Sequence, residues 1–392
     1  MALLVQTAMS LVAAAMAVLL PFFKAEFHLT FAQAGIVANF SFIGGMIATA
    51  LAGLAVDALG DRFVLVIGGI ATGAAACAVA VSFNFWVLLV VLVVMGVGFA
   101  TATPAGSVAV RRAFPLRLRG TVMSIRQTGV PFGFFFAALI LPSIAISHGW
   151  RTAMVAAGLI SILFALITLA VYRPVDPPDR LESGIHGFTS VFGRDSARAA
   201  VGGLFLVAAQ MSLLTYLVSY LVHDRHLPLT TAAVYLAIAQ LGGAGGRVFW
   251  GLVSDRLLDG NRRSALILAG GTGALGSLAL AVLPLNAPVA TLVAAILVAA
   301  TGAVGWNGIQ ISYLSELARA GSEGRNVGIG LTIQQPGVLL GPFAFGLVAD
   351  LTGSFQFAWI LLGGFLAAGM LIISSVSKPT IGLTLGTSNI RR

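Results

Sequence analysis

The chain has 392 residues, of which 58% are hydrophobic and only 9% charged, with a mean hydropathy of +1.00. Soluble domains carry about a quarter charged residues, so this composition excludes an ordinary water-facing surface and implies a lipid-facing one. The formal net charge of +9 does not mark a nucleic-acid binder, because the basic residues sit in short loops between apolar runs, as the positive-inside rule requires.

Twelve apolar runs are each long enough to cross a bilayer, which takes about 20 helical residues. Taken in order they cover roughly 2–22, 31–56, 63–83, 85–109, 119–143, 150–172, 199–222, 229–254, 264–284, 287–315, 326–349 and 355–376. Long unbroken runs exclude the ten-residue alternation of a membrane barrel, and lipid offers no partner for backbone polar groups, so the spans must be helices. The predicted fold is an all-α membrane protein of twelve transmembrane helices in two pseudo-symmetric six-helix bundles. The longest polar stretch, 173–198, separates an N-terminal bundle (1–172) from a C-terminal bundle with a short tail (199–392). No cleavable signal peptide is expected, because the N-terminus lacks a basic region ahead of its first apolar run. Cys77 is the sole cysteine, so no internal disulfide can form.

Lys and Arg fix the expected orientation. With the N-terminus inside, seventeen fall in cytoplasmic loops and the tail, and three outside: Lys24, Arg151 and Arg225. This predicts a multi-pass protein of the inner (plasma) membrane with both termini cytoplasmic.

The halves repeat a motif. The second span ends with Gly53, Asp57, Gly60 and Arg62, and the eighth with Gly251, Asp255 and Arg256; Arg126-Gln127-Thr128-Gly129 in the fifth is matched by Gln334-Gln335-Pro336-Gly337 in the eleventh. Internal repeats of this kind characterise transporters whose site lies between the repeats. The Gly-x-x-x-Asp-x-x-Gly-x-Arg signature with its weaker second copy resembles the major facilitator superfamily over the whole chain. That resemblance implies two bundles rocking about a central site by alternating access. The chain departs from the family at Leu92, where an arginine often precedes the fourth-helix glycine (here Gly96), and it meets an antiporter-type Gly-Pro pattern only in part, through Gly129, Pro131 and Gly133. The small Gly53 and Gly251 would let helices approach, and Asp57, Arg62, Asp255 and Arg256 would latch the cytoplasmic side; the plainer reading is that they only fix topology.

Two arginines, Arg126 and Arg247, fall inside spans. A central arginine costs at least about 2.5 kcal/mol to insert. All thirteen acidic residues lie in loops or near span ends. The resemblance places the fifth and eighth helices together, where two guanidiniums about 7 Å apart would repel by roughly 2 kcal/mol and a carboxylate between them would relieve the repulsion. Gly246-Arg247-Val-Phe-Trp-Gly251 is also similar to the eighth-helix pattern of monocarboxylate and oxalate-type members, in which the arginine binds substrate carboxylate. Gln127, Gln210, Asn39, Tyr216, Trp306, Asn307, Gln310, Gln334 and Gln335 are candidates to complete the site, although for any single amide an interhelical hydrogen bond is the plainer role.

The sequence thus predicts a secondary active transporter of a small organic anion, either exchanger or proton-linked symporter, in which protons or a counter-anion accompany the substrate. Export of a neutral or amphipathic compound stands as the alternative. No buried His, Asp or Cys cluster suggests an enzyme, and no cofactor or metal is expected. The partners expected are the substrate and the lipid bilayer, and the chain is expected to be a monomer.

Overall fold

A computed structural model describes residues 1–113, 126, 128–173, 192–318 and 323–377, with the side chains of 50, 53, 54, 57, 107, 111, 112 and 323–325 outside the description. Among the described residues eleven helices are long and apolar enough to cross a membrane, and a bent pair makes a twelfth. They are α1 (Ala2–Val18 and Leu20–Glu26, axes 52° apart), α2 (Phe31–Asn39 and Ser41–Leu59), α3 (Asp61–Ala80) and α4 (Phe85–Ala100 and Ala102–Ala113). The first half closes with α5 (Gly129–His148) and α6 (Trp150–Val171). The second half holds α7 (Arg194–His223), α8 (Leu229–Leu252, running into a π turn Val253–Leu257) and α9 (Arg262–Val282). It ends with α10 (Val289–Gly305 and Asn307–Glu316), α11 (Glu323–Thr352) and α12 (Phe355–Ser374).

The expected spans agree with these helices except at their ends. The fifth runs on to His148, and its expected start lies outside the described residues. The seventh begins at Arg194 rather than 199, because Gly193 lets the helix start within the expected linker; most of that linker is outside the description. Helix starts are chemically marked. Thr30 and Gln33 form a reciprocal capping box on α2, and Asn84, Asn261 and Ser354 cap α4, α9 and α12, each supplying an acceptor for an otherwise orphan N–H.

Each half pairs its helices alike: α1 with α5, α2 with α4 and α3 with α6, repeated as α7 with α11, α8 with α10 and α9 with α12. Glycines set the closest approaches, as expected where lipid gives no hydrophobic drive for association. Gly129 and Gly133 press on α1 where Gly337 and Gly341, their counterparts in the repeat, press on α7. Gly251 does no such work: a methyl there would meet nothing within 4 Å, which corrects the close-packing role read from the sequence. Two mid-span breaks are matched as well, at Thr101 in α4 and Trp306 in α10. There the Thr101 hydroxyl and the Trp306 indole N–H each donate to the carbonyl three residues back.

The two halves meet mainly through α2 with α11 and α5 with α8. The contact with α11 belongs to the first segment of α2; the second segment turns to α4 of its own half. The seal between halves therefore lies at the end of α2 opposite the face that bears Arg62, Arg262 and Arg263.

Candidate functional site

Phe31, the first residue of α2, is the keystone of that seal. Its N–H and that of Ala32 donate to the two carboxylate oxygens of Asp350 at the end of α11, at 2.7 and 2.8 Å. Thr30 takes the next N–H, from Gln33, at 3.2 Å. Three of the orphan donors at this helix start are thus satisfied, two of them by a carboxylate from the other half, where the helix dipole also favours negative charge. The Phe31 carbonyl accepts from the Tyr216 hydroxyl. Its ring lies edge-on to Phe355, centroids 4.8 Å apart, and to His223 at 5.4 Å. Gly35 and Gly346 flank the Tyr216 hydroxyl, and a methyl on either would overlap it. Tyr216, a candidate substrate residue, is thus placed in the closure between the halves.

Beneath this seal lies a polar ceiling. Asn39, at the break in α2, donates to Thr215 Oγ1 of α7 at 2.9 Å, crossing between halves. Five residues earlier on α7, Gln210 accepts from Asn307 Nδ2 at 2.9 Å. Asn307 follows the break in α10, is half-buried, and also donates to Val304 O at 3.0 Å. Asn39 and Asn307 therefore meet α7 within about 8 Å of each other along its axis, though on different sides of the helix. Trp306 is buried, and its indole N–H is already taken by Ala303 O. Gln310 and Gln334 turn into the C-terminal bundle, both against Gly203. Gln310 donates to Ala199 O at 2.8 Å, while its own oxygen and the Gln334 Nε2 are buried without a partner among the described residues. Gln335 is half-buried, and Gln127 lies outside the described residues.

The two arginines have different surroundings. Arg126 is 3% exposed. It donates to Ala102 O, the first residue past the α4 break, and occupies the space left by Gly106, where a Cβ would overlap its Nε. Arg247 on α8 is half-buried. Its Nε is buried with no hydrogen-bond partner among the described residues.

On the basic face the gating residues sort differently from expectation. Arg62 donates to Leu169 O at the C-terminal end of α6, within its own half. Asp255 pairs with Arg262, not Arg256. Arg262 also reaches Ser254 Oγ at 2.9 Å and Glu316 at 3.0 Å. Arg263 donates to Ser374 O at the end of α12. Arg263 and not Arg256 is thus the counterpart of Arg62: each caps the last carbonyls of its half's sixth helix, where a cation suits the dipole. The sequence reading missed this because it aligned residues by spacing from Asp255, whereas the π turn and the bend that follow shift the register. Gly60 supplies a left-handed turn (φ 82°) between α2 and α3, and the side chains of Gly53 and Asp57 are outside the description. Phe31, Thr215 and Asp350 were also missed; their contacts span up to 319 residues, and no local pattern signals them.

Two repeated helical bundles of this kind, sealed against each other at one face, suit a membrane transporter. The Major Facilitator Superfamily sequence model matches residues 2–342, and the chain belongs to that family. It is 28% identical over 365 residues to an uncharacterized MFS-type transporter of Mycobacterium tuberculosis (strain CDC 1551 / Oshkosh), covering 92% of this chain and 80% of the other. It is 23% identical to the hexuronate transporter of Bacillus subtilis (strain 168), covering 95% and 92%. In fold it is similar to a bacterial homolog of the human lysosomal transporter Spinster in an inward-facing and occupied conformation, with TM-score 0.81, 17% identity and coverage of 95% and 94%. The protein is thus a multi-pass membrane transporter of a small molecule and not an enzyme.

Proposed function

We propose that this transporter carries a small organic anion, a carboxylate, by alternating access, as an exchanger or proton-linked symporter. The observation that carries the reading is Arg247: a guanidinium within a membrane helix whose buried Nε has no partner among the described residues. An uncompensated cation at such a position is expensive and marks a ligand pathway, and its planar fork suits a carboxylate. The hexuronate named for the Bacillus relative is an anion of this class. Asn307, Gln210 and Asn39 supply amides for the rest of the substrate, and Gln335 is a further donor. Arg126 in its present contacts holds α4, and it joins the anion only if it leaves Ala102 O. The basic face is the cytoplasmic one and the sealed face the outer one, by the asymmetry of Lys and Arg. The transporter acts as a monomer in the plasma membrane.

The test is counterflow of labelled glucuronate, a hexuronate, in proteoliposomes. Arg247→Ala should abolish saturable uptake, and Arg247→Lys should retain a small part of it. Wild-type uptake by the alanine variant would remove Arg247 from the substrate site. Uptake of a neutral sugar in preference to every carboxylate would overturn the anion reading.

A further inference from the structure

A cavity of about 840 Å³ opens on the sealed face, apart from the polar ceiling. Lys24, His28 and Phe31 line it from the N-terminal half, and Ser219, His223 and His226 from the C-terminal half. Among the described residues no carboxylate lines it. The acidic groups around it are already engaged. Glu26 pairs with Arg151 at 2.8 Å, and Asp350 takes the Phe31 and Ala32 N–H groups. Asp224 accepts from Phe355 N at 2.9 Å and lies 2.7 Å from His223 Nδ1. Of the other cations on this face, Arg225 is buried and spent on Tyr220 Oη and the Leu283 and Pro284 carbonyls. Lys24 is left with the Phe31 ring, its ammonium 4.2 Å from the centroid.

The cavity is built by the internal repeat. Glu26 and Asp224, His28 and His226, and Leu29 and Leu227 are each separated by the same number of residues as Asp57 and Asp255. His28 and His226 share a left-handed backbone, φ 51° and 52°, a conformation that costs a non-glycine residue of order 1 kcal/mol and persists in both halves. The two turns place one imidazole from each half at the rim of the same cavity.

We infer that this cavity is a second anion site, distinct from the Arg247 site, and that its ligand is a small polycarboxylate or like oxyanion held by Lys24, His28 and His226. Its groups are donors, with an ammonium that no carboxylate neutralises among the described residues and imidazoles from both halves. An anion touching Lys24 and His226 together spans both halves. It therefore binds more tightly when the face is sealed than when the halves part, and that difference is what lets a ligand shift a conformational equilibrium. An anion here would hold the outer face shut and slow turnover without entering the transport path. The inference does not depend on which molecule the transporter carries.

The experiment is calorimetric titration of citrate into the protein in lipid nanodiscs. The expected result is a binding event that survives Arg247→Ala and weakens at least tenfold in both Lys24→Gln and His226→Gln. His226→Gln serves as the control in case Lys24→Gln disturbs Phe31. Absence of citrate binding, binding unchanged in His226→Gln, or binding lost in Arg247→Ala alone would each overturn the second site.

Discussion

At the scale of single residues, the two membrane arginines separate by what their guanidiniums touch. Arg247 presents a buried Nε with no partner among the described residues, whereas Arg126 donates to a carbonyl at a helix break and fills the notch made by Gly106. Removing Arg126 strands the Ala102 carbonyl and opens a void in a nearly closed site. We expect Arg126→Ala to lower stability by about 1–3 kcal/mol, read as a fall in the thermal midpoint in detergent, with glucuronate affinity changed less than threefold. An unchanged midpoint with affinity lost would return Arg126 to the substrate site. Both arginines were legible in the sequence because charge inside an apolar run stands out. Their different partners were not, since these depend on where α4 breaks and on which glycine faces which helix. The amides divide for the same reason. Asn307 and Gln210 meet at the ceiling, and Gln310 and Gln334 turn inward against Gly203, although all four looked alike as polar residues in apolar spans.

At the scale of helices, the number of spans, their order and the internal repeat were readable, because the apolar period and the Lys/Arg asymmetry act over many residues. The packing was not, as two glycines show. A methyl on Gly96 would overlap the Ser41 carbonyl of α2, whereas one on Gly251 meets nothing within 4 Å. Gly96→Ala should therefore cost about 1–3 kcal/mol through overpacking against rigid backbone. Gly251→Ala should be neutral or stabilise by up to about 1 kcal/mol, since alanine is the better helix former. Thermal midpoints of the two purified variants check this, and equal losses would contradict the packing described. Gly251 shows why a motif position is a poor guide to contact: its spacing matches Gly53, but its face of α8 is open.

At the scale of the molecule, the protein is sealed at one end by contacts the sequence did not announce, with Phe31 of one half held by Asp350, Tyr216 and Phe355 of the other. The carboxylate on the α2 start should be worth about 1–2 kcal/mol, a factor of roughly ten in the balance between sealed and open faces. Asp350→Asn should shift that balance toward the open state, and Phe31→Ala further. Electron–electron distances between spin labels on the exposed Phe83 and Leu285 positions, in a Cys77→Ala background, would lengthen in both variants; unchanged distributions would remove the lock. The seal at one face and the Arg247 Nε without a partner among the described residues are the two observations behind the proposed anion carrier. The most direct measurement is the affinity of glucuronate for the purified protein by calorimetry, in the wild type, Arg247→Lys and Arg247→Ala. The account predicts saturable binding that weakens about tenfold or more with lysine, which lacks the planar fork, and disappears with alanine. Wild-type affinity in Arg247→Ala would contradict it.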